Sequence, residues 1–175
     1  MADSNSTKRA LAGAMKSLLQ EIPFSGIRVS DICKKCDMNR KSFYYHFKDK
    51  YDLINWIYDT EFAAAVDSAA HLDPADQLLL LCEYFYANRT FYRKALEIQG
   101  QNSFSDHFCE YLSPLIRQRF NSGSSLRLSE FQTAFMADAC LCALRRWLSQ
   151  RRPLPPDEFA RQMLQCLSLA DPVSG

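Results

Sequence analysis

A chain of 175 residues with 47% apolar content is long enough for one domain, or a small unit beside a larger one, with a real core. Its 21 basic and 20 acidic side chains leave a formal charge of +1, which by itself points to no nucleic-acid partner. No run of about 18 apolar residues occurs and the amino-terminal stretch lacks the apolar centre of a signal peptide, so no membrane span is expected and a cytoplasmic location is.

Every substantial segment has helical spacing, and no β-type alternation or internal repeat is present. Leu11, Met15, Leu18, Leu19 and Ile22 predict a helix over about 6–21, stopped by Pro23. After a short connection, residues 28–50 divide into two short helices around Asp37-Met38-Asn39. Asp and Asn tolerate the left-handed backbone of a tight turn, and Asn39 can cap the second of these helices. Asp49 can cap a fourth helix with Leu53, Ile54, Ile57 and Tyr58 on one stripe, running towards about 70.

A fifth helix, about 75–88, is so rich in leucine that burial on most sides is expected. A sixth covers about 90–98. A seventh opens near Ser103, with Asp106 in a capping-box position, and runs from about 103 to 119. Asn121 to Ser125 is the clearest loop. A long helix from about 129 to 150 follows, ended by Arg151-Arg152-Pro153, and a last one covers about 157–169. The fold class is therefore all-α.

The stretch from Arg28 to Lys50 carries the chemistry. Ile32, Cys33 and Cys36 give its first helix an apolar face, and Phe43 and Phe47, four apart, point inward from its second. Arg40, Lys41, Ser42, Tyr44, Tyr45 and His46 are left facing outward. Cations and hydrogen-bonding aromatics on one exposed helix suit phosphates and base edges. The stretch holds seven basic residues against three acidic ones, whereas residues 63–175 hold eleven against twelve. This asymmetry suggests one DNA-binding end on a near-neutral body. A solvated charged face is the bland alternative; for Tyr44 it is a core aromatic with a surface hydroxyl, and for His46 a structural histidine.

Seven cysteines, an odd number, argue against a disulfide framework. Cys33 and Cys36 form a C-x-x-C, but a zinc site needs two further ligands and no partner motif exists. Both fit helix packing as small apolar residues, with a metal or redox role as the alternative. Three histidines in separate segments, no glycine-rich phosphate loop and no nucleophile elbow give no basis for an enzyme, a cofactor or a metal. The cluster of Asp106, His107 and Cys109 is best read as the flank of the seventh helix.

Residues Val29 to Leu53, above all Ser42-Phe43-Tyr44-Tyr45-His46-Phe47-Lys48-Asp49-Lys50, resemble the TetR family of bacterial transcription regulators; the likeness extends over about residues 6–60. Phe91-Tyr92, Ala95-Leu96, Gly100 to Phe104 and Arg146-Trp147-Leu148 resemble the branch that includes dihydroxyacetone-kinase activator-like regulators. The resemblance implies an amino-terminal three-helix DNA-binding domain over 1–50, a linking helix from about 50, and a helical effector and dimerisation domain over 51–175. It implies that Arg40 and Lys41 read bases, and that Ser42, Tyr44, Tyr45, His46 and Lys50 contact DNA.

Two positions depart from the family pattern. Asp37 stands where glycine is usual, and Arg28 where a capping threonine is common. Arg28 is expected to gain from the DNA backbone. The resemblance further implies a homodimer through helices 129–150 and 157–169 on a pseudo-palindromic operator. It also implies control by an unknown small ligand or protein partner, with Phe85, Phe91, Phe104 and Phe108 as candidate ligand contacts. The same aromatics serve equally as core, and the dimer helices, the first of them with a long apolar stripe of Phe131, Phe135, Met136, Ala139, Cys142, Ala143 and Trp147, serve equally as internal packing. A helical protein-interaction module without specific DNA binding is the alternative function.

Overall fold

A computed structural model describes residues 4–69, 71–98, 104–121 and 127–169. Within them the chain is all-helical and no strand forms. The helices are α1 (Ser4–Glu21), α2 (Val29–Lys35), α3 (Arg40–His46), α4 (Lys50–Ala69), α5 (Pro74–Ala87), α6 (Arg89–Ala95), α7 (Phe104–Asn121), α8 (Glu130–Ser149) and α9 (Pro156–Leu169), with a 3-10 turn at Phe24–Gly26. The expected Ser103 cap and most of the Asn121–Ser125 loop lie outside the described residues.

The helix starts follow capping chemistry. Asp49 accepts from the backbone N–H of Tyr51 (2.8 Å) and Asp52 (2.9 Å). Asp73 does the same for Ala75 and Asp76, with Pro74 at the first helical position. Those two backbone donors hold the Asp73 carboxyl below the usual carboxylate range. Ser129 and Gln132 form a reciprocal capping box at α8.

The chain forms two compact units. The first comprises residues 1–63 with 90–104. Its core buries Leu11, Met15 and Leu19 of α1, Ile32 of α2, Phe43 of α3, Leu53, Ile54 and Ile57 of α4, and Tyr92 of α6. The second comprises residues 64–89 with 105–175, and in it α5 packs most extensively on α9. Ile116, Phe120, Met136 and Ala137 form one of its clusters. Trp147 is another anchor: its ring stacks on Phe159 at 4.1 Å and its Nε1 donates to the Leu154 carbonyl (2.9 Å).

Three expectations need adjusting. The fifth helix was expected to be buried on most sides, but Leu78 to Leu81 of α5 are only half-buried, and Cys82 and Phe85 carry the buried stripe. Four consecutive leucines span all faces of a helix, and α9 covers only part of that girth. The sixth helix ends at Ala95, because Glu97 and Ile98 turn back in three-residue steps onto the Lys94 and Ala95 carbonyls. The apolar stripe of α8 divides in two: Met136 and Trp147 are buried, whereas Phe131, Phe135, Ala139 and Cys142 are exposed. Among the cysteines, burial pushes the thiols of Cys82 to about 12 and Cys140 to about 11.

Candidate nucleic-acid interface

The α2–α3 pair is built from its turn outward. α2 ends with the Asp37 N–H donating to the Lys34 carbonyl (3.4 Å) and the Met38 N–H donating to Cys33 (2.9 Å). This is the Schellman arrangement, and it puts Asp37 in the left-handed region at φ 52°. Asn39 then caps α3, its side-chain oxygen accepting from the Ser42 N–H at 2.8 Å.

Packing sets the orientation of α3. Phe43 is fully buried and Phe47 nearly so, their rings 5.8 Å apart, with Trp56 of α4 5.7 Å beyond Phe47. Fixing these two rings inward turns the opposite face out. Arg40 and Lys41 are exposed, Tyr44 is 57% and Tyr45 82% exposed, and Ser42 and His46 are half-buried. Tyr45 meets His46 edge to face at 4.9 Å, which steadies both rings at the end of the helix. Lys8 of α1 lies over the Phe47 and Trp56 rings at 5.8 and 5.7 Å.

The two residues that depart from the family pattern are both accommodated. Arg28 caps α2 without a side-chain hydrogen bond; instead its backbone N–H donates to the Asp31 carboxylate at 2.9 Å, leaving the guanidinium exposed. Only half of a capping box is thereby made, since a guanidinium cannot accept. Cys33 is buried and Cys36 half-buried, and Cys36 Sγ donates to the Ile32 carbonyl at 3.2 Å. Burial raises both thiols above the ordinary value.

Lys50, expected as a phosphate contact, stands at the start of α4 and is held within the first unit. Its Nζ donates to the carbonyl oxygens of Phe24 (2.8 Å) and Ile27 (2.9 Å) and lies 4.4 Å from the Phe24 ring centroid. Nothing in the local pattern of residues 42–53 signals this, because the acceptors lie 23 to 26 residues earlier.

The four aromatics named as ligand contacts occupy different places. Phe85 and Phe108 are buried and meet edge to face at 6.0 Å in the second unit. Phe91 is buried in the first unit, with Tyr92 at 5.0 Å and Lys16 over its ring. The Phe104 side chain lies outside the described residues.

Comparison with known proteins agrees with this geometry. Residues 10–57 match the family described as bacterial regulatory proteins, tetR family, and residues 73–168 match that described as transcriptional regulator C-terminal region. Over 93 residues, 53% of this chain, the sequence is 33% identical to the HTH-type dhaKLM operon transcriptional activator DhaS of Lactococcus lactis; the match spans half (50%) of that protein's length. Among solved structures, the chain is similar in fold to a TetR transcriptional regulator from Streptococcus agalactiae, with a TM-score of 0.76, 22% identity and 94% of each chain covered. The dihydroxyacetone kinase operon activator DhaS gives 0.66, 24% identity, and coverage of 94% of this chain and 96% of that one.

Proposed function

This chain belongs to the tetR family of bacterial regulatory proteins, and from that premise we propose that it binds a pseudo-palindromic operator as a homodimer, with α3 of each protomer in the major groove. As a family member it is a transcriptional regulator with a helix-turn-helix DNA-binding domain, not an enzyme. The observation that carries the finer reading is the α3 face: Arg40, Lys41, Tyr44 and Tyr45 exposed on a helix whose other side is fixed by Phe43 and Phe47.

In this reading Arg40 and Lys41 reach base edges, Arg40 being able to address guanine O6 and N7 together. Ser42, Tyr44, Tyr45, His46 and Arg28 position the helix on phosphates. Residues 1–50 contact DNA, and residues 51–175 dimerise and receive the controlling signal in the cytoplasm. The exposed Phe131 and Phe135 of α8, stacked at 6.5 Å, support a partner-facing surface there, with the exposed and half-buried residues of α9 as its second strip. The signal is a small ligand or a protein partner, and the buried pair Phe85 and Phe108 supports an apolar site for it in the second unit.

Affinity for duplex DNA, measured with the wild-type chain and with Arg40→Ala and Tyr44→Ala, tests this directly. An operator-binding protein loses affinity in both variants. A helical interaction module without DNA binding is indifferent to both.

A further inference from the structure

Within the second unit α9 runs back along α8. The Trp147 ring, near the end of α8, stacks on Phe159, near the start of α9, at 4.1 Å. Leu167, towards the end of α9, packs against the cluster that holds Met136 and Ala137 of α8. Residues seven apart return to nearly the same face of a helix after two turns. Two turns before Trp147 stands Cys140, and two turns after Phe159 stands Cys166. The register that stacks the two rings therefore sets one cysteine level with the other.

The two thiols differ in setting. Cys140 is half-buried, on the side of α8 that carries Met136 and Trp147, whereas Cys166 is exposed. Burial pushes the Cys140 thiol up to about 11, and Cys166 adds to the rise. Cys140 is thus almost wholly protonated at neutral pH, and the exposed Cys166 is the thiol that meets a reagent from solvent. Cys142 is exposed as well, but it shares the face of α8 that carries Phe131 and Phe135, away from Trp147.

We propose that Cys140 and Cys166 are a reversible dithiol pair, at which a hydroperoxide closes a disulfide between α8 and α9. Cys166 Sγ attacks one oxygen of hydrogen peroxide and the O–O bond breaks. The sulfur keeps that oxygen as a sulfenic acid, and the other leaves as water with the thiol proton. Cys140 Sγ then attacks the sulfenic sulfur, the S–O bond breaks, and the hydroxyl leaves as a second water with the Cys140 proton. Two thiols are oxidised by two electrons and the peroxide is reduced by two. A small thiol reverses the step by exchange. The proposal stands on α8 and α9 of one chain, and neither operator binding nor dimerisation enters it.

Peptide mapping of the full-length chain tests it. Trypsin releases Cys140 in peptide 128–145, together with Cys142, and Cys166 in peptide 162–175. A Cys142→Ser background leaves one thiol in each. After brief treatment with hydrogen peroxide and blocking of free thiols, the two peptides are expected to be joined, about 2 Da below their summed mass, and to separate with dithiothreitol. Cys140→Ser and Cys166→Ser should each abolish the joined species. The oxidised Cys142→Ser chain should unfold at a higher temperature than the reduced one, because the bridge closes a long loop, and neither of the other two variants should show that shift.

A disulfide needs its Cα atoms within about 7 Å, so failure of the peptides to join, with Cys166 carried on to the sulfinic acid, overturns the proposal. A covalent dimer on a non-reducing gel in place of the bridge within one chain overturns it too. Should Cys140→Ser not fold, Cys140→Ala keeps a small apolar side chain at that half-buried position, and the wild-type map still reports whether the peptides join.

Discussion

Asp37 holds the one left-handed backbone among the described non-glycine residues, at φ 52°. The steric cost of that region is about 1 kcal/mol for a side chain, less for Asp, and glycine avoids it. Asp37→Gly is therefore expected to leave operator binding intact and raise stability by roughly 0.5 kcal/mol in urea unfolding, after the greater chain entropy of glycine is offset. A loss of stability means that the Asp37 side chain has a compensating role. For Arg40, truncation to alanine is expected to cost about 1–3 kcal/mol of operator affinity and to relax selectivity at one base pair, and Lys41→Ala, the other proposed base reader, is expected to relax selectivity at its own base pair. Arg28→Thr restores a cap acceptor for α2, so it should stabilise the fold by up to about 1 kcal/mol while weakening operator binding and lowering the salt slope. Unchanged affinity and slope rule out the proposed Arg28 contact with the DNA backbone.

At the scale of the element, helical spacing made much of the fold legible. The inward pair Phe43 and Phe47, the Asn39 cap and the Asp49 cap all follow from short-range rules and all appear in the structure. What stayed hidden is non-local. Periodicity gives α8 one long apolar stripe, but it cannot tell a residue buried by its own chain from one left exposed. The structure separates Met136 and Trp147 from Phe131 and Phe135 at 79% and 65% exposure. The Lys50 carbonyl partners were illegible for the same reason, as was the half-buried state of the α5 leucines. The exposed phenylalanines lead to a prediction: Phe131→Ser with Phe135→Ser should leave the helical content and the unfolding midpoint of the isolated chain nearly unchanged. The same pair should shift sedimentation from dimer to monomer, at concentrations where the wild type is dimeric. A variant that stays dimeric places the interface elsewhere.

For the whole molecule, the charge distribution and the proposed dimer go together. Seven basic residues against three acidic ones over 28–50, with near-neutrality over 63–175, give one chain a single DNA-facing end. One helix-turn-helix makes few base contacts, so specificity rests on duplicating it. In the proposed dimer, two-fold symmetry requires equivalent operator half-sites in inverted orientation, their centres about 34–36 Å or one helical turn apart, or a multiple of that spacing. Selection of bound sequences from a random duplex library, using the full-length chain, measures this directly. The account predicts enrichment of an inverted repeat with half-site centres about 10–10.5 base pairs apart or a multiple of that, lost when Arg40→Ala replaces the wild type. No enrichment, or an asymmetric site without a repeat, would contradict it.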